Sequence, residues 1–365
     1  MMYYLVISIT IFFQFTTSEK NKKNNLLLCV LLFILFLVAA LRGNGIGDYF
    51  VYLNYSKLIN TTSDLFNSNF PMEFGFRLLS YIVNTLKFNS QWVIASMNAI
   101  SISCIYFFIK RHSPDMLFSV LLFLPLFFLF DMHTARTAVA IGIGSLSLKY
   151  VVDRKLIKFI LIVFIAAQFH NIAWVLLIIY LINFIQLSYL FYIFSILISL
   201  FIVKLININL IISQVFKLVG LHEFESRFLI YSTNTTYGYE FSLIDPRLLL
   251  SMGILIMSLV IIENTYFKKN IDELTLKYLR LLIKVNWLLV ILMIILSKNT
   301  IFVIRLYGLF SVFQIVQIPL FLKEYKNISN YNSYIILKYF LGLAYVLYAI
   351  VLIQSQPEYL FYFNK

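Results

Sequence analysis

Long apolar runs recur along the whole of this chain, and they leave it few architectures other than one built in lipid. Of 365 residues, 61% are hydrophobic and only 12% charged, with 37 Phe and 25 Tyr among them. That density of apolar segments marks a membrane protein. The runs predict about twelve helices, near 2–17, 26–41, 91–109, 116–130, 134–151, 156–169, 171–185, 187–203, 247–263, 280–297, 300–322 and 333–353. Several fall short of the ~20 residues that an upright span needs, which implies local thinning or buried polar ends. The expected fold is an all-α, polytopic membrane helical bundle, a single integral membrane domain over 1–365 with no room for a soluble domain.

The formal net charge of +13 does not point to nucleic acid, because the basic residues are scattered through short loops and form no concentrated face. Cys29 and Cys104 both fall within predicted spans, so neither a disulfide nor a metal site is indicated. The four histidines lack ligand-like spacing, and no D-x-D metal–nucleotide motif is present. No metal and no cofactor is therefore expected. Met1 to Thr17 lacks the basic region and small-residue cleavage site of a signal peptide and reads as a retained helix.

Lysine fixes the topology. Lys20, Lys22 and Lys23 put the first loop inside and the N-terminus outside; the clusters at Lys110–Arg111, Lys149–Lys158, Lys268–Lys277 and Lys323–Lys326 then also fall inside. On this scheme the inner side holds fourteen Lys and three Arg, the outer side six Lys and six Arg. Arginine runs against the bias that lysine obeys. Because its planar fork grips phosphate or carboxylate with two hydrogen bonds, that inversion hints at anion binding on the outer face.

One segment sets the parity of the count. Between Met72 and Phe88 the polar residues Glu73, Arg77, Ser80, Asn84 and Lys87 recur at helical spacing and form one stripe. The segment is expected to be an interfacial or re-entrant helix in the first outer loop, since a span there would turn every later Lys cluster outward. Two outer loops, 42–90 and 204–246, are long enough for function.

The first outer loop opens with Arg42-Gly43-Asn44-Gly45-Ile46-Gly47-Asp48-Tyr49, followed by Tyr52. Its glycines can point backbone N–H groups at an anion, or the loop can simply be flexible with Arg42 and Asp48 paired. Glu73 precedes Arg77 by four residues, an orientation worth only about 0.3–0.5 kcal/mol on a helix surface. Asp131-Met132-His133-Thr134-Ala135-Arg136 starts a span in which Ala138, Ala140, Gly142 and Gly144 allow another helix close. Arg136 sits at the apolar boundary, where it either snorkels to headgroups or serves a ligand. Arg247 and Arg305 stand at comparable outer helix starts, whose partial positive charge also favours an anion. His170 lies in the polar break Gln168-Phe169-His170-Asn171, either as a satisfied turn residue or as a base, a role His133 shares as a candidate. The Tyr-, Thr-, Asn- and Gly-rich stretch Tyr231 to Phe241 suits sugar contacts and equally suits any exposed loop.

In order along the chain, the Arg42-to-Tyr52 stretch, Glu73-Phe74-Gly75-Phe76, Arg136-x-Ala-x-Ala, Phe169-His170 and Arg305 with Tyr307 resemble the EpsG-type family of bacterial polysaccharide polymerases, functional relatives of the Wzy-type O-antigen polymerases. The sequence departs from the usual Gly-Thr-Asp of that pattern in having Gly45-Ile46-Gly47-Asp48. The resemblance implies oligosaccharide repeat units on undecaprenyl pyrophosphate as substrates, at the outer face of the bacterial plasma membrane. It also implies membrane lipids, a chain-length regulator and a flippase as surroundings and partners. A terminal hydroxyl of one lipid-linked repeat would attack the anomeric carbon of the growing chain. The leaving group is already activated, so the protein must supply positive charge for the pyrophosphate and a base for the hydroxyl.

On this scheme Arg42, Arg136, Arg305 and Arg247 are assigned to pyrophosphate, Asp48 or His170 to the base, and Glu73 to orienting a sugar hydroxyl or an arginine. Tyr49, Tyr52, Arg77, His133 and Tyr307 are assigned to substrate contacts. The rival readings are a lipid-linked oligosaccharide flippase or other transporter, a glycan ligase and a membrane O-acyltransferase. A transporter would place its charges in mid-span, and a ligase would share nearly all the same chemistry.

Overall fold

The computed structural model describes residues 2–17, 24–43, 47–206, 208–218, 220, 225–226, 229–230, 241–263 and 271–355. In lipid an apolar segment must satisfy its backbone groups internally, and each of the twelve apolar runs carries helix. In chain order these are α1 (Met2–Thr16), α2 (Asn25–Ala40), α3 (Tyr49–Ser56), α4 (Thr62–Phe66), α5 (Phe74–Thr85), α6 (Gln91–His112), α7 (Met116–Leu126), α8 (Ala135–Ser145), α9 (Leu148–Val152), α10 (Leu156–Ala167), α11 (Leu177–Phe184), α12 (Tyr189–Leu205) and α13 (Ile208–Leu218). They continue with α14 (Pro246–Glu263), α15 (Glu273–Ile295), α16 (Thr300–Ser311), α17 (Gln314–Ile328) and α18 (Tyr331–Gln354).

The chain is thus a helical membrane protein, but helix length does not reproduce the expected count of about twelve spans. Four helical stretches, Gln91–His112, Ala135–Val152, Glu273–Ile295 and Tyr331–Gln354, are long and apolar enough to cross, and two pairs separated by short breaks raise the number to six. The other apolar helices have 10–17 residues. Local chemistry also distorts one of these shorter helices, Met116–Asp131. Pro125 lies at the end of α7, where its missing N–H and its ring disturb the hydrogen-bond ladder, and Phe127–Asp131 widens into a π-helical turn.

The helices form two compact units, one of Met1–Tyr180 with Gln314–Lys365 and the other of Leu181–Phe313. In the first, α8 packs on α6 through its small residues, as the four-residue spacing predicted. A Cβ on Gly142 would lie 2.9 Å from the Ser101 carbonyl, and the Ser101 hydroxyl donates to the Ala138 carbonyl at 3.2 Å. In the second, Trp287 of α15 donates from Nε1 to the Ser195 hydroxyl at 2.8 Å and packs between the rings of Phe191 and Tyr192.

The segment 47–90 is itself a small folded body. Tyr49, Tyr52, Met72, Phe76 and Val83 join Val93, Ile94, Met97, Ala135, Val139 and Ala166 in one buried cluster. Phe76 and Tyr52 are wholly enclosed, their ring centroids 5.7 Å apart, and burial of a side chain of this size is worth roughly 1.5–3 kcal/mol.

Helix α5 covers the predicted segment but turns it round. Ser80 of the polar stripe is fully buried and bonds the Phe76 carbonyl, and Asn84 donates to the carbonyls of both Ser56 and Ile59 at 2.7 Å. The polar stripe therefore knits the loop together, while Leu78, Ile82 and Leu86 form the outward stripe. The helix ends where Lys87 takes a left-handed φ of 57° and the Phe88 N–H bonds back to the Val83 carbonyl at 3.0 Å, a Schellman closure.

Candidate functional site

The site is assembled where helices α3 and α5 meet the start of α8 and the turn after α10. Gly75, the second residue of α5, makes the docking possible. Its N–H donates to the Gln168 carbonyl at 2.7 Å, and a Cβ there would sit 2.8 Å from that oxygen and 2.9 Å from the Phe169 ring. Glu73 caps α5 in extended conformation but makes no side-chain cap bond. Its carboxylate reaches across to Arg136 instead.

Glu73 Oε2 accepts from Arg136 Nη1, and Oε1 faces the Asn171 N–H at 3.5 Å. The two side chains are only 13% and 14% exposed. At such burial the charges need each other, because removing one partner leaves the other desolvated and alone. The expected Glu73–Arg77 pairing on one helix face is thereby displaced. Arg77 turns away, donates to the Asn67 carbonyl and lies against the Phe74 ring at 5.9 Å.

Tyr52 links this pair to Asp48. Its hydroxyl donates to Asp48 Oδ2 at 3.0 Å and accepts from the Arg136 backbone N–H at 3.4 Å, while the Arg136 guanidinium lies 5.7 Å from the Tyr52 ring centroid. Burial first, and then the Asp48 carboxylate, push the Tyr52 hydroxyl pKa well up, against the pull of Arg136 and Arg42. Tyr52 is therefore a fixed donor. Asp48 keeps its second oxygen outside this bond. The loop bearing Asp48 is pinned by Gly47, whose φ of 51° suits glycine and whose Cβ would come within 2.7 Å of the His133 carbonyl. The Asp48 N–H donates to that same carbonyl at 3.2 Å.

Arg42 is completely enclosed, with Nη1 donating to the Asp131 carbonyl at 2.6 Å. Buried in this way it supports the loop base and is not presented at a surface. His133 lies beside it; burial, and then the Arg42 charge, bring its pKa down to about 4 from 6.5. His170 caps the 3₁₀ turn Asn171–Leu176, its Nδ1 accepting from the Ile172 N–H at 3.2 Å. With Nδ1 occupied as an acceptor, the neutral ring carries its proton on Nε2.

Arg247, Arg305 and Tyr307 belong to the second compact unit. Arg247 is held by Asp245 through two bonds, Nε to Oδ1 at 2.8 Å and Nη2 to Oδ2 at 2.7 Å, and lies over the Phe241 ring. Arg305 is half-buried and Tyr307 buried on α16. The positions Asn44, Gly45 and Ile46, and Tyr231 to Glu240 of the sugar-suited stretch, lie outside the described residues. So do the topology-setting Lys20, Lys22, Lys23, Lys268 and Lys269.

Gln91 is a residue that sequence reasoning passed over. Its amide accepts from the Tyr49 hydroxyl at 2.9 Å and donates to the carbonyls of Ala40 and Arg42 at 2.7 and 3.0 Å, tying the loop base to α6. The signal was a long polar side chain at the first position of an apolar span.

A model of the EpsG family matches residues 25–364, nearly the whole chain. No curated protein and no solved structure matches it.

Proposed function

The chain belongs to the EpsG family, and from that premise we propose that it is a membrane polysaccharide polymerase joining oligosaccharide repeats carried on undecaprenyl pyrophosphate. In this reading it crosses the plasma membrane about twelve times, with its site at the outer face. The observation that carries the proposal is the convergence of Asp48, Tyr52, Glu73 and Arg136, from three separate stretches of chain, on one partly enclosed spot.

The roles follow from what each side chain can do there. Asp48 is an acceptor held in place by Tyr52, so it takes the proton from the attacking hydroxyl as general base. The hydroxyl oxygen bonds to the anomeric carbon, the bond from that carbon to the phosphate oxygen breaks, and the lipid pyrophosphate leaves with the electron pair. Arg136 supplies fixed positive charge for the departing phosphate, its Nη1 end oriented by Glu73. His170, with its proton on Nε2, serves as a donor to a sugar hydroxyl or a phosphate oxygen. Arg42 and Gln91 hold the loop from behind.

The proposal is tested by complementing a deletion strain with Arg136→Lys and Asp48→Asn variants of confirmed expression and profiling surface glycan on a gel. Loss of the long ladder with the single repeat retained supports the reading. A full ladder from Arg136→Lys removes the bidentate role, and a full ladder from Asp48→Asn removes the base.

A further inference from the structure

A pair of cations outside the site described above lies on α15, within the second compact unit. This helix, Glu273–Ile295, is long and apolar enough to cross a membrane, yet it carries Arg280 and Lys284. They stand about two and three turns from its start. Charges inside a span are costly and call for a partner. Four residues apart on one helix, these two also repel each other.

Neither cation meets a carboxylate among the described residues. Lys284 Nζ donates to the Asn183 carbonyl at 3.2 Å, and the exposed Arg280 makes no hydrogen bond and no ion pair there. The one acidic residue within α15, Glu273, is taken by Lys277 at 2.7 Å. Of the helices packed on α15, α12 and α16 contain no acidic residue and α14 has only Glu263, its last. Asn286 donates to the Ser251 carbonyl at 3.1 Å. In that antiparallel register the Glu263 backbone lies about 9 Å beyond Arg280 along the axis. The patch therefore keeps two positive charges. A guanidinium fork beside an ammonium point charge suits a phosphate, which would also relieve their repulsion.

Apolar groups touch this patch directly. From Arg280 to Ile291 the residues of α15 that are not buried are Arg280, Lys284, Trp287 and Ile291, one stripe at helical spacing. Trp287 packs on the ring of the exposed Phe191 at 5.6 Å, and Asn183, which accepts from Lys284, is followed by the exposed Phe184 and Ile185. The stripe thus runs from charge near the helix start to aromatic and aliphatic surface deeper in the span. That is the order of a phospholipid, headgroup first and chains after.

We propose that Arg280 and Lys284 bind the headgroup phosphate of an anionic phospholipid whose chains lie along Trp287 and Phe191. The test uses the purified full-length protein in neutral detergent, with thermal unfolding followed on titration of phosphatidylglycerol, phosphatidylcholine or inorganic phosphate. Phosphatidylglycerol should stabilise the wild type where phosphatidylcholine and inorganic phosphate do not. Arg280→Gln/Lys284→Gln should weaken that response by at least about tenfold in lipid concentration. Arg280→Gln alone, at an exposed position where folding is not at stake, should weaken it by a smaller factor. Lys149→Gln/Lys155→Gln, which removes the same charge elsewhere, should keep the wild-type response. Equal responses to both lipids, an undiminished response in either Arg280 variant, or an equal loss in both double variants overturns the proposal. So does a full shift with inorganic phosphate alone, which would make the patch a site for a soluble anion.

Discussion

Replacing Gly75 by alanine tests whether α5 must seat on the turn after α10 for the site to exist. The added Cβ would lie 2.8 Å from the Gln168 carbonyl oxygen and 2.9 Å from two carbons of the Phe169 ring. Ordinary contact begins near 3.4 Å, so α5 must retreat by about 0.6 Å. Part of the obstacle is backbone and cannot swing aside. The 2.7 Å bond from Gly75 N to Gln168 O would stretch by the same amount and largely fail, at about 1 kcal/mol. Overpacking adds about 1–3 kcal/mol, giving roughly 2–4 kcal/mol of destabilisation in all. Glu73, two residues earlier, moves with the helix and slackens its hold on Arg136. A misplacement approaching 1 Å can lower a rate on the order of 100-fold.

The assay pairs thermal unfolding in detergent with the glycan ladder, and Gly253→Ala serves as control because nothing lies within 4 Å of a Cβ there. Gly253→Ala should match the wild type or gain up to about 1 kcal/mol from helix propensity, whereas Gly75→Ala should lose both stability and ladder length. Wild-type stability and a full ladder in Gly75→Ala would refute the docking described for α5.

In a double-mutant cycle, Glu73→Ala and Arg136→Ala should each destabilise by about 3–5 kcal/mol, and the double variant should cost far less than their sum. Additive losses, read by thermal unfolding, would mean the two charges do not depend on each other. Tyr52→Phe deletes the hydroxyl between Arg136 and Asp48 while keeping the ring packed on Phe76, so ladder length should shorten with stability changing by only about 1 kcal/mol; unchanged polymerisation argues against Asp48 as the base. His133 is depressed to about 4 from 6.5, so its contribution is fully present above about pH 6.5 and is lost as pH falls toward about 4. The full loss is on the order of 3 kcal/mol, and His133→Gln should flatten the stability profile across that window.

Much of the framework was legible because lipid imposes it. Apolar runs become helices wherever water cannot satisfy the backbone, and the small residues of α8 announced its close approach to α6. The breaks inside the runs were harder to foresee, since the π turn after Pro125 depends on how its neighbours pack. At the site, the residues were recognisable but their partners were not. Glu73 and Arg77 have the spacing of a helix-surface pair, yet Glu73 joins Arg136, 63 positions away, because a buried guanidinium gains more from a carboxylate than an exposed one does. The stripe on α5 was visible as a period; its direction was set by Asn84 finding the carbonyls of Ser56 and Ile59. Arg42 reads as one of an outward arginine set for pyrophosphate; its complete enclosure is not legible in the loop that carries it.

The central claim is that Arg136, oriented by Glu73, carries a polymerising site. It is tested most directly by the surface-glycan profile of a deletion strain complemented with either wild-type protein or a stably expressed Arg136→Ala variant. The account predicts a long ladder with wild type and a single repeat unit with both the empty deletion and the variant. A ladder from Arg136→Ala equal to that of wild type would contradict it, as would a deletion that lacks even the single repeat.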